Sequence, residues 1–307
     1  MIFFLTSFFV SVMAASTPLL LAATGELVTE RAGVLNLGVE GMMLVGAVSG
    51  FVVGHLTGST ILGVSAAMIG GAALSLVFSF LTLTLLSNQT AAGLALTIFG
   101  RGFSALMGAG YVGIKGAILP KLFIPLLSEI PFFGPVLFGQ DALVYLSFII
   151  LAGVWWFLYR THGGLVLRAV GDSHDAAHAI GYPVVQIRLM ATMFGGAMAG
   201  LAGGYMSLAY SPLWAENMTA GRGWIALALV VFATWRPLWL LGGAYLFGAI
   251  MYLSLYVQGI GVQVPSALIS ALPYLVTIVV LAIISRDRRK IRLNQPACLG
   301  KSFYAAT

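Results

Sequence analysis

Residues 59–86 read STILGVSAAMIGGAALSLVFSFLTLTLL, and no charge interrupts them. At about 1.5 Å per residue this run is long enough, as a helix, to cross a hydrocarbon core of about 30 Å. Its apolar residues are continuous. A barrel strand would instead show segments of about ten residues alternating apolar with polar. In lipid every backbone polar group must be satisfied within the chain, which leaves helices. Similar runs lie at 2–24, 35–54, 90–113, 142–159, 185–210, 221–235, 238–257 and 265–284. The whole chain is 60% hydrophobic and 8% charged, with a mean hydropathy of +1.02. A soluble surface needs far more charge than that. The reading is an all-α polytopic membrane protein, a bundle of about nine (eight to ten) transmembrane helices. The first run, 1–24, lacks a basic n-region and exceeds a typical signal-peptide core, so it reads as a retained helix. Cys298 is the single cysteine, which excludes a disulfide framework and a cysteine-based metal site.

Lys and Arg near helix ends favour the cytoplasmic side, and this sets the orientation. The tail from Arg286 carries Arg286, Arg288, Arg289, Lys290, Arg292 and Lys301 against Asp287. It reads as a solvated cytoplasmic tail, 286–307, rather than a nucleic-acid arm. Counting back through the crossings places Arg236, the segment 160–184, Ser87–Gln89 and the stretch 25–34 inside. Segments 114–141, 211–220 and 258–264 fall outside, as does the N-terminus. Eleven of the 15 basic residues then lie inside. The run 221–235 is too short to span upright, so it is either tilted or a short helix buried among others. In the outer segment 211–224, Trp214 and Trp224 read as interfacial anchors.

Two places carry polar groups into this apolar chain. ERAGVLNLGVEGMM, residues 30–43, puts Asn36 and Glu40 four apart, on one face of the second helix if that helix begins at 35. Gly33, Gly38 and Gly41 permit close backbone approach there. Arg101 sits mid-run between Gly100 and Gly102, where a charge costs about 2.5–3.5 kcal/mol on insertion scales. Broken helices and polar side chains are recurring parts of a solute path. Asn36, Glu40, Asn88, Gln89 and Arg101 are therefore the expected path residues. The glycines of GGAMAGLAGG, 195–204, read as helix packing.

The segment 160–184, RTHGGLVLRAVGDSHDAAHAIGYPV, is helix-like although it lies between crossings. Leu165, Leu167 and Val170 form an apolar side, with Arg168 and Asp172 four apart on another. Asp172 or Ser173 caps a second short helix that ends at Gly181, before Pro183. Two short helices at the membrane face make a rigid knob for a partner's groove. The alternative is an interfacial helix lying on the lipid.

GGLVLRAVGDSHDAAHAIGY resembles the cytoplasmic coupling segment of ABC importer permeases, in the group for branched-chain amino acids, simple sugars and nucleosides. ERAGVLNLGVEGMMLVGA at 30–47 resembles a block of the nucleoside-type members. NQTAAGLALTIFGRGFSALMG at 88–108, FGGAMAGLAGGYMSL at 194–208 and MTAGRGWIALALVVFATWRPLWLLGGAYLFG at 218–248 fit the same group, in order along nearly the whole chain. Where that family often has Asn-Pro in the coupling segment, this chain has Ser173-His174.

The resemblance implies one transmembrane permease domain over 1–307, importing a small polar solute, a nucleoside or simple sugar, across a bacterial inner membrane. It implies two ABC ATPase subunits, a second permease subunit (homologous or identical) and an extracytoplasmic solute-binding lipoprotein. No cofactor is expected, because ATP would be bound by the partner subunit. Leu167, Arg168, Gly171, Asp172, Ala176, Ala177 and Gly181 are then the ATPase-coupling residues. The competing reading is an ion-coupled secondary transporter, for which Glu40 is the best acid. Gly300-Lys301-Ser302 imitates the end of a phosphate-binding loop, but Gln295 stands where its first glycine belongs. His174 and His178 are an i,i+4 pair without the further ligands a metal needs.

Overall fold

The computed structural model describes residues 2–122, 125, 128, 130–259, 266–285 and 294–304. Among these residues the chain is helical, with only isolated β-bridges joining Val112 to Trp214, Lys115 to Leu213 and Lys121 to Asp141. In chain order the helices are α1 (Ile2–Arg31), α2 (Val39–Thr57), α3 (Thr60–Ser79), α4 (Gln89–Gly108), α5 (Ala142–Arg160) and α6 (His162–Asp172). Then follow α7 (His174–Ala179), α8 (Val184–Tyr205), α9 (Arg222–Phe232), α10 (Pro237–Gly259) and α11 (Ser266–Ser285). Wider π turns extend α3 through Phe80–Thr84 and α8 through Met206–Tyr210. Seven of the described helices are long and apolar enough to cross a membrane, namely α1 to α5, α8 and α10 with their extensions.

Hydropathy located these helices well. Two boundaries differ for physical reasons. The first helix does not stop at 24 but runs to Arg31, so 25–34 is mostly helix and not a loop. It carries Glu26 and Glu30 inward, both buried, and the sequence reading cut the helix where the charges began. Conversely, α2 starts at Val39, so Asn36 lies in the loop before it and shares no helical face with Glu40. Buried hydroxyls in α1 are satisfied locally: Ser16, Thr17 and Thr24 donate to the carbonyls four residues back, at 2.7, 2.8 and 2.6 Å.

The core is the set α1, α2, α3 and α8, with α8 packed against the other three and α2 also against α4. Small residues let these backbones meet, since lipid offers no hydrophobic drive between helices. Gly46 faces the Gly200 backbone, Gly200 faces Ala67 and Gly71, Gly203 faces Met43, and Gly195 faces Thr29 and Gly25. The stretch 195–204 thus packs against three helices at once. Trp214 is no interfacial anchor. It is fully buried, stacked onto Gly108 and sealed by Ala47, Val48 and Phe51.

α9 is a half-length helix. Its 11 residues rise about 16 Å, roughly half a hydrocarbon core. The segment before it, read as wholly external, descends into the bundle: Thr219 is fully buried, and Gly223 meets Glu40. α9 ends beside the last turn of α1, where Trp235 accepts from Arg31.

Candidate functional site

Three groups of residues stand out, and the loop 32–38 connects two of them.

At mid-depth, Glu40 in the first turn of α2 receives the start of α9. Thr219 Oγ1 and the Gly221 amide donate to Glu40 Oε1 at 2.6 and 2.8 Å, and the Gly223 amide donates to Oε2 at 2.6 Å. The first amides of a helix have no intrahelical acceptor, and the helix dipole favours an anion there. Gly221 takes the left-handed conformation at φ +82° that brings its amide round to the carboxylate. The depth follows from α4. Gly100, twelfth of its 20 residues, contacts the Gly41 backbone, and Thr97 Oγ1 donates to the Leu37 carbonyl at 2.9 Å. Glu40 therefore closes a helix break inside the bundle.

The loop 32–38 is held by polar side chains on both sides. The Asn36 amide donates to Glu26 Oε1 at 3.2 Å, and the Leu35 amide donates to Gln89 Oε1 at 2.8 Å. Asn36 is itself fully buried and turned into its own loop, accepting from the Gly38 amide at 3.0 Å. Asn88 caps α4, accepting from the Ala91 amide at 3.0 Å. Glu30 accepts from Trp235 Nε1 at 2.6 Å, beside the Arg31 contact with Asn294 O at 2.9 Å.

The second group is the outward face of α4. The helix buries Gln89, Ala92, Gly93, Leu96, Thr97, Gly100, Ser104 and Gly108, a stripe with helical spacing. Arg101 borders this stripe, next to Thr97 and Ser104 by helical spacing, yet it is exposed, and the rest of the helix surface carries exposed Ile98, Phe99, Phe103 and Leu106. A Cβ added to the neighbouring Gly102 would meet nothing within 4 Å. So Arg101 shares the depth of Glu40 but is exposed, whereas Glu40 is buried.

The third group is the knob α6–α7. Thr161 caps α6 by accepting from the Gly164 amide at 3.1 Å, and Ser173 caps α7 by accepting from the Ala176 amide at 3.4 Å. Gly181, at φ +94°, ends the pair in a left-handed turn. Leu167, Gly171 and Ala177 face inward and are buried. Asp172, Ala176 and Gly181 face out, together with Asp175 and an Ile180 that is 73% exposed. Arg168 is half-buried, its guanidinium 5.2 Å from the centre of the Tyr159 ring.

Sequence reasoning missed the residues beneath this knob. Arg188 is fully buried and donates to the Ala32 and Lys301 carbonyls at 3.1 and 3.0 Å, with Nη2 3.1 Å from His174 Nδ1. A guanidinium only donates, so His174 accepts through Nδ1 and is neutral. Burial and the Arg188 charge hold its pKa below the ordinary histidine value. His174 and His178 flank the Phe303 ring at 5.3 and 5.2 Å, and no group of three or more metal-ligating side chains occurs among the described residues. The tail from Asn294 to Tyr304 therefore lies docked under the knob and is not freely solvated. Arg286, Arg288, Arg289, Lys290 and Arg292 lie outside the described residues, as does most of 258–264. Nothing in the sequence signals that an arginine at the start of a crossing binds a tail 113 residues away.

The family described as "Branched-chain amino acid transport system / permease component" matches residues 8–281. The chain belongs to this family. It is 42% identical to the "Putative glucose ABC transporter permease protein TsgC13" of Haloferax volcanii, covering 94% of each chain. It is 30% identical to the "Nucleoside ABC transporter permease protein NupC" of Lactococcus lactis, over 87% of this chain and 89% of that one. It is also 30% identical to the "Guanosine ABC transporter permease protein NupQ" of Bacillus subtilis, over 87% and 88%. No solved structure matches it significantly. The chain is a multi-pass permease subunit of an ABC importer for small polar solutes. In such systems ATP hydrolysis belongs to a separate ATPase subunit, and a solute-binding protein is a further partner.

Proposed function

We propose that this chain, as one transmembrane permease domain, forms half of a paired permease that imports a nucleoside or simple sugar across the bacterial inner membrane. The observation that carries the pairing is Arg101. An arginine at mid-span on an otherwise apolar outward face costs about 2.5–3.5 kcal/mol if it meets lipid. A second permease subunit, identical or homologous, placed against this face of α4 turns Arg101 toward a shared aqueous path instead. Asn36, Glu40 and Gln89 stand behind that face and hold the broken helices that shape it, while Asn88 caps α4 at its membrane edge. The relatives named for glucose, nucleosides and guanosine support a solute rich in hydroxyls, the chemistry that sugars and the ribose of a nucleoside share.

The knob α6–α7 is the docking point for one of two ABC ATPases, through the exposed Asp172, Asp175, Ala176, Ile180 and Gly181, with Leu167, Gly171 and Ala177 as its inner wall. Arg168, resting over Tyr159, shapes the knob's flank. This face also gathers Arg31, Arg160, Arg168, Arg188 and Lys301, so it is the cytoplasmic side, and the C-terminus lies there. The extracytoplasmic lipoprotein meets the opposite face, and membrane lipid covers the rest of the perimeter.

Uptake in reconstituted vesicles tests the reading, with uridine and D-glucose as separate probes. Uptake is expected to need the ATPase and ATP on the knob side, and to survive collapse of the ion gradients. Uptake by this chain alone under a proton gradient would establish an ion-coupled carrier and overturn the proposal. Arg101→Ala is expected to lower uptake by roughly tenfold, the equivalent of about 1.4 kcal/mol, with unchanged membrane abundance. Wild-type uptake in that variant takes α4 off the path.

A further inference from the structure

The tail runs beneath the knob as a strap. The Cys298 amide donates to the Gly171 carbonyl at 2.9 Å, at the end of α6. The Gly300 amide donates to the Gly33 carbonyl at 3.2 Å, in the loop that leads to α2. Lys301 O accepts from Arg188, whose other nitrogens reach Ala32 O and His174. Phe303 closes the strap, packed with Val170, Ala177 and Val184 and lying between the rings of His174 and His178. Gly171 itself lies against the Arg31 carbonyl, with no room for a side chain. One short segment thus ties both knob helices, the start of α8 and the loop 32–38 into one body. That loop is continuous with α2 and Glu40, and so with the half-helix α9.

We propose that residues 296–304 are a positioning element that transmits movement of the knob to loop 32–38, with Arg188 and Phe303 as its positioning residues. The same short tail places an aromatic ring between two histidines of α7 and bonds the loop on its other side, so it touches both the knob and the loop. Without the strap, the knob retains its caps and its exposed surface, and an ATPase docked there moves it without moving the loop. The proposal rests on the reading of α6–α7 as the ATPase dock.

The test uses the complete reconstituted importer and Phe303→Ala, with Phe303→Leu as the conservative companion. Two quantities are read: solute imported per ATP hydrolysed, and the rate at which a maleimide labels Cys298, the chain's only thiol and 9% exposed. Phe303→Ala is expected to remain in the membrane, keep basal ATPase activity and label faster. Its transport ratio is expected to fall roughly 2- to 30-fold, the range that coupling changes of about 0.5–2 kcal/mol produce. Phe303→Leu is expected to restore most of that ratio. Faster labelling with an unchanged ratio overturns the proposal, because the strap is then loose and coupling intact. Loss of both variants from the membrane also overturns it, since Phe303 then serves folding alone. A wild-type protein that transports without ATP instead sinks the underlying function, and Cys298 protection in that protein is unaffected.

Discussion

Glu40→Gln is expected to lower the thermal midpoint of the solubilised protein and its solute uptake together. The carboxylate accepts three hydrogen bonds within the bundle, from Thr219, Gly221 and Gly223. An amide keeps one acceptor oxygen and turns an NH₂ toward a donor that then has no partner. Bonds to a charged group are worth about 1.5–3 kcal/mol each, and a buried donor left unsatisfied costs about 1–3 kcal/mol. Loss of the anion at the N-terminus of α9 adds roughly 0.3–1 kcal/mol. The expected destabilisation is therefore about 3 kcal/mol, with the half-helix as the part released. Differential scanning fluorimetry beside an uptake assay checks this. A midpoint equal to wild type with uptake abolished would move Glu40 from helix anchor to solute contact.

Gly200→Leu is expected to remove the protein from the membrane altogether. A Cβ at Gly200 would strike the Ala67 carbonyl on one side and stand 3.0 Å from Gly71 Cα, and Gly46 presses on the same backbone from α2. Side-chain rotation cannot relieve a clash of backbone with backbone, so three helices must separate. Overpacking commonly costs about 1–3 kcal/mol, and this site lies at or beyond that upper end. Gly242→Leu is the control, because a Cβ there meets nothing within 4 Å. Fluorescence-detected size exclusion of tagged variants reads both. Normal assembly of Gly200→Leu would show that α8 does not need its close approach to α2 and α3.

Those two glycines look alike in sequence, each in a glycine-rich apolar run, and this marks the limit of what the sequence carried. Crossings such as 142–159 and 185–210 match α5 and the extended α8 to within a residue, because hydropathy is a property of the segment itself. The knob was legible for a similar reason, since caps such as Ser173 and Gly181 act on amides within three or four residues. The expected path residues were less legible. Asn36 and Glu40 suggested a shared face, but one folds into its own loop while the other reaches a helix 179 residues further along. Glu26 and Glu30 lie past the expected end of the first helix, which continues because the distant Asn36 amide and Trp235 indole meet their buried carboxylates.

By itself the sequence determined that this chain is a helical membrane protein, roughly which residues cross, and where the knob lies. These follow from transfer free energy and local hydrogen bonding, which are summed over neighbours in the chain. Only the tertiary structure decided that α9 is a half-helix closed by Glu40, that Arg101 faces outward, and that the tail is strapped to Arg188 and Phe303 beneath the knob. Each of these depends on pairing groups more than a hundred positions apart or on which side of a helix is covered, and no local pattern encodes either.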